Sequence, residues 1–124
     1  MSFYTVINCM DGRVQLPVIK YLMERFHVSY VDSITEPGPI RILAQELDKE
    51  TIASILKKIR ISFERHKSQG VAIVGHYDCA GNPVDKDQQI RQLRKAKSLL
   101  KQKLPGTEPL MLWVDEKWRV HQIR

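Results

Sequence analysis

Apolar positions along the chain change their spacing several times, and each change marks an expected element. Phe3 to Asn8 is a short β-rich run and predicts a strand. From Val14 to Phe26 the apolar Val18, Leu22 and Phe26 recur one helical turn apart, with Pro17 in the first turn, where a missing N–H is tolerated. Val28 to Ile34 predicts a second strand, Glu36-Pro37-Gly38-Pro39 breaks the chain, and Ile40 to Leu47 predicts a short helix. Asp48 is placed to cap a long helix in which Ile52, Ile55, Leu56, Ile59 and Phe63 form one stripe, running out through Arg65, His66 and Lys67 towards Gly70. Val71 to Val74 is apolar without alternation, as expected of a strand covered on both faces. Between Lys86 and Lys103 a further helix carries Ile90, Leu93 and Leu100, with Leu104 just beyond. Pro105-Gly106 ends it, and Leu110 to Val114 with Trp118 to Ile123 predicts a closing strand pair around Asp115-Glu116-Lys117.

Strands alternating with helices predict an α/β fold with right-handed crossovers. The expected sheet is mainly parallel, of order about 2-1-3-4 with an antiparallel edge strand, and flanked by helices. At 124 residues, with no internal repeat, the chain is expected to form a single domain over residues 1–124. Ligands of such sheets gather beyond the carboxyl ends of the strands, where neighbouring crossovers leave in opposite directions. Cys9 closes the first strand and His76 follows the third, so this topology brings both to one point.

Composition narrows the classes. Apolar residues at 43% and charged residues at 27% suit a soluble globular protein, and no apolar run is long enough to cross a bilayer, so no membrane partner is expected. The N-terminus lacks the basic region of a secretory leader, so a cytoplasmic location is expected, where thiols stay reduced. For Cys9 and Cys79 that favours a metal pair over a disulfide or two unrelated thiols. The net charge of +6 raises nucleic acid as a partner. However, Lys86, Arg91, Arg94, Lys95, Lys97, Lys101 and Lys103 surround the apolar series of one helix and have no stacking aromatics among them. They read as its wet face, and a nucleic acid is not the expected partner.

Candidate chemistry sits in two short words, Cys9-Met10-Asp11-Gly12-Arg13 and His76-Tyr77-Asp78-Cys79. Cys9, His76 and Cys79 would make a Cys₂His zinc site with one coordination position open. Two thiolates cancel the zinc charge and weaken it as a Lewis acid, which leaves work for neighbouring groups. Asp11 and Arg13 are placed to supply it: a guanidinium can hold a carboxylate in a two-pronged hydrogen bond, and the carboxylate can accept from a nucleophile and aim it. If that pair loosens, Asp11 can reach the fourth position itself. The plainer reading of Asp11 and Arg13 is a structural ion pair bracing a loop. Asp78 reads as a loop or capping carboxylate, Gly75 and Gly81 as tight backbone, Trp113 and Trp118 as packing of the last strand pair. His27, His66 and His121 stand outside both words.

A CxDxR word after one strand and an HxxC word after another, in this element order, resemble the β class of carbonic anhydrases. The resemblance covers most of the chain. It implies zinc on Cys9, His76 and Cys79, an Asp11–Arg13 dyad, zinc hydroxide as nucleophile, carbon dioxide and bicarbonate as substrate and product, and a homodimer or higher homo-oligomer. Two words differ from the family pattern: Glu36-Pro37-Gly38-Pro39 stands where an Arg-Asn-Ala-Gly type word is usual, and Ala80 rather than glycine follows Cys79. The alternatives are a noncatalytic zinc-binding relative, an enzyme acting on carbonyl sulfide or carbon disulfide, and thiol chemistry at Cys9. The last is disfavoured, because Cys9 and Arg13 are too close for a CxxxxxR phosphate loop and no glycine-rich cradle follows.

Overall fold

Strands β1 (Phe3–Cys9) and β3 (Val71–His76) are buried along almost their whole length, so they take the centre of the sheet. The computed structural model, which describes residues 1–124, completes the sheet with β2 (Tyr30–Glu36), β4 (Leu110–Val114) and β5 (Val120–Ile123) in the order β2-β1-β3-β4-β5. All neighbouring strands are parallel except β4 and β5, which close as an antiparallel pair. This is the order expected from the alternation of periods.

Successive strand residues point to opposite faces, and the sequence uses both. Ile7 and Ile73 face one core with Ile40, Leu43, Ile55 and Leu93, supplied by α2 (Pro39–Gln45), α3 (Lys49–Arg65) and α4 (Lys86–Lys103). Val6, Ala72 and Val74 face the other, with Val18 and Leu22 of α1 (Gln15–Phe26). The β1–β2 ladder runs from Phe3 opposite Tyr30 to Cys9 opposite Glu36, whereas the β1–β3 ladder stops at Ile7 opposite Ile73. The two central strands therefore part before their carboxyl ends, and the gap between them is where Cys9 and His76 lie.

Local chemistry explains where the boundaries fall. Asp48 caps α3 by accepting from the Thr51 N–H, and Asp85 caps α4 by accepting from the Gln88 N–H. Asp11 caps a 3-10 turn, Gly12–Val14, that precedes α1. β2 begins at Tyr30 rather than Val28, because His27 ends α1 in the left-handed region (φ 54°) and Val28 packs into the α1 core as part of the turn. Trp118 is not in the last strand. Its φ is 61°, and Asp115 Oδ1 accepts from the N–H groups of Lys117 and Arg119, which prolongs the turn to Val120. On α4 the buried stripe runs through Gln89, Leu93, Ala96 and Leu100, with Ile90 half-buried beside it. On its outer side Lys97 and Lys101 both reach Glu108, at 2.9 and 3.1 Å. No helix is long and apolar enough to cross a membrane.

Tyr4 gives the fold a measurable alkaline limit. Its ring stacks on Phe26 and is buried, and burial pushes its pKa up to about 12 against a smaller opposing pull from Arg25. The unfolded chain releases this proton near 10, so the contribution is intact below that pH and is lost as the pH rises to about 12. Two units correspond to about 3 kcal/mol. Urea midpoints of the wild type should therefore fall more steeply between pH 10 and 12 than those of Tyr4→Phe. Parallel slopes would remove Tyr4 as the cause.

Candidate metal centre

The last residue of β1, the last residue of β3 and the loop after β3 supply three buried donors. Cys9, His76 and Cys79 are 3%, 1% and 5% exposed, and their ligand atoms all lie within 4.8 Å of one another. The two sulfurs are 3.8 Å apart and are not joined as a disulfide. His76 Nδ1 lies 2.7 Å from the Tyr77 carbonyl, which can only accept, so Nδ1 carries the proton and Nε2 presents its lone pair. Nε2 is the one buried side-chain nitrogen or oxygen without a hydrogen-bond partner. An orphaned buried acceptor is costly, and here it lies among two sulfurs. This set could hold a metal ion, and its donor types suit zinc with a position to spare.

The electrostatics of the three are linked. The Cys9 thiol is held well below the usual range, first by the hydrogen bond it shares with Cys79, then by His76 and by the Gly38 and Asp11 backbone, against the opposing effect of burial. Cys79 is pushed up, first by the same hydrogen bond to Cys9 and then by burial. One of the pair thus ionises early, as a metal ligand must. Burial works against charging His76, but the Cys9 sulfur and the Tyr77 carbonyl offset it and its pKa rises.

Beside this group Arg13 grips Asp11. Nη2 donates to Oδ2 at 2.7 Å, Nε donates to both oxygens at 3.1 and 3.2 Å, and the Arg13 backbone N–H donates to Oδ1 at 2.9 Å. The guanidinium holds the Asp11 carboxyl down to about 2, against a smaller opposing effect of burial. Three further groups hold the pair, none of them expected in that role from the sequence. Asp78 receives Arg13 Nη1 on its carboxylate at 3.3 Å and Nη2 on its carbonyl at 3.0 Å. Trp118 lies under the guanidinium at 4.5 Å, so the ring, which also packs against the core that holds Leu112 and Val114 of β4, supports Arg13 as well. Gln15 Nε2 donates to the carbonyls of Cys9 and Asp11. The buried Asn8 ties β1 to the start of α1 by donating to the Val14 carbonyl. His66 and His121 lie elsewhere, paired with Asp32 and Asp115.

Two glycines lock the surrounding loops together. Gly38 has φ +60°, and a Cβ there would stand 2.8 Å from Asn82 Cβ and 2.9 Å from the Gly81 carbonyl. A Cβ on Gly81 would stand 2.7 Å from the Pro37 carbonyl carbon. The stretch Glu36–Pro39 is therefore seated against the loop that follows Cys79.

A family model described as "Putative carbonic anhydrase" matches residues 1–124. No curated protein matches the sequence. The fold is similar to that in the crystal structures of two tetrameric β-carbonic anhydrases from the filamentous ascomycete Sordaria macrospora. One of their chains aligns with TM-score 0.57 and 13% identity, over 99% of this chain and 81% of that one. It is also similar to the β-carbonic anhydrase CafA of the fungal pathogen Aspergillus fumigatus, with TM-score 0.51 and 14% identity, over 96% of this chain and 74% of that one. At these identities the likeness establishes the fold.

Proposed function

Because the chain belongs to this carbonic anhydrase family, we propose that it hydrates carbon dioxide reversibly to bicarbonate and a proton, with zinc held by Cys9, His76 and Cys79. The observation that carries the reading is the unpartnered lone pair of His76 Nε2 among two sulfurs, next to a carboxylate held by a guanidinium. When bound, zinc supplies the Lewis acidity that makes water a competent nucleophile near neutral pH.

The chain's own residues do the rest. Asp11, ionised and held by the backbone N–H and side chain of Arg13, accepts a hydrogen bond from the attacking water and turns its lone pair towards carbon dioxide. Arg13 keeps that carboxylate in one orientation and is itself kept in place by Asp78 and Trp118. The Tyr77 carbonyl fixes the ring of His76. Residues 1–124 serve as one zinc domain, which works in the cytoplasm as a homodimer or larger homo-oligomer. The exposed Met10, Leu16 and Tyr77, close in sequence to the site residues, support such an assembly, as does the tetrameric state of the Sordaria macrospora proteins.

The test is stopped-flow carbon dioxide hydration on protein of measured zinc content. Rates proportional to bound zinc, and lost on chelation, are the expected result. One zinc per chain with no hydration at any pH would overturn the proposal and leave a noncatalytic zinc protein.

A further inference from the structure

Helix α4 carries two glutamines on its inner side, one turn apart. Gln89 is 1% exposed, a place where an amide is tolerated only when its hydrogen bonds are made. Its Oε1 accepts from the His76 N–H at 3.0 Å, and its Nε2 donates to the His76 carbonyl at 2.8 Å. This fork replaces a strand. β1 has left β3 beyond Ile73, so the His76 peptide groups on that side have no ladder partner, while the next N–H, that of Tyr77, turns the other way to Val114. Gly75 leaves the room: a Cβ there would stand 2.8 Å from Gln89 Oε1.

Gln92 makes the second arm. Asn82 Nδ2 donates to Gln92 Oε1 at 2.6 Å, and Gln92 Nε2 returns a bond to Asn82 Oδ1 at 3.3 Å. Asn82 is itself buried, and its N–H donates to the Cys79 carbonyl at 3.2 Å. One helix thus grips the backbone at His76 and, through Asn82, at Cys79. We propose that Gln89 and Gln92 are positioning residues that preset the spacing of His76 and Cys79, so that the ion binds without the loop having to reorganise. The proposal rests on the metal centre proposed above. An apolar side chain could fill the same space on α4, but it could not fix two peptide groups in register with a donor atom.

Gln89→Met and Gln92→Leu in the full chain, titrated with Co²⁺ alone, test it. Dissociation constants come from chelator competition, ligand-field spectra report the geometry, and thermal unfolding of the metal-free proteins is followed alongside. Each variant should bind Co²⁺ roughly 10- to 100-fold more weakly, with an altered ligand-field spectrum. Gln92 is only half-buried, so Gln92→Leu carries the test if Gln89→Met fails to fold. Variants that lose thermal stability yet bind Co²⁺ with wild-type affinity and spectrum would overturn the positioning role. A wild type that binds neither Co²⁺ nor Zn²⁺ would overturn the metal centre itself, which is a different result.

Discussion

Asp11→Asn should keep one zinc per chain and lose carbon dioxide hydration by roughly 10²- to 10⁴-fold, the range of a positioned proton-handling group. The three donors are untouched by the change, so metal content should stay at the wild-type value. What changes is polarity at one atom. Arg13 presents only donors to this side chain, and an asparagine amide must answer them with its single oxygen. The NH₂ group is then left where the attacking water needs an acceptor, and the water is turned away from its target. Metal analysis and stopped-flow rates on the same preparation check both halves. Hydration near the wild-type rate would reduce Asp11 and Arg13 to a brace for the loop, the plainer of the two readings open from the sequence.

The second large effect is on stability. Zinc at about 1,000 times its dissociation constant should stabilise the wild type by roughly 4 kcal/mol. For a chain of this length that raises the melting temperature by on the order of 10 °C or more. His76→Ala should lose this response entirely, because it removes the only nitrogen donor of the group and leaves two sulfurs 3.8 Å apart. Metal-free stability should fall as well, because the change leaves a cavity at a buried position and strips the Tyr77 carbonyl of its donor, so the zinc-dependent rise is the diagnostic quantity. Melting curves of both proteins, with and without zinc, decide it. An equal rise in wild type and variant would place the ion somewhere other than on His76.

Much of this architecture is legible in the chain because periods of two and of 3.6 alternate cleanly. The unbroken run Val71 to Val74 marks the centre of the sheet, and the two words at strand ends mark the cleft. What was not legible concerns residues whose role depends on a partner distant in sequence or on a local turn. Val28 is apolar and β-branched, so a pattern reading puts it in β2, but the left-handed His27 turns it into the core instead. Trp118 reads as strand because the hydrogen bonds that prolong its turn come from the Asp115 side chain. Asp78 shows no sign in the sequence of facing Arg13. Gln89 did leave a signal: it lies four residues before Leu93, on the buried stripe of α4, where an amide needs a partner.

The interlocking of Gly38 with Gly81 and Asn82 has a consequence for engineering. The family's usual Arg-Asn-Ala-Gly type word would put a methyl group at position 38, on a left-handed backbone and 2.8 Å from Asn82 Cβ. A graft of that word alone would therefore push apart the two walls it was meant to decorate. The segments 36–39 and 80–82 form one cassette, and loops transplanted from a relative should be exchanged as a matched pair.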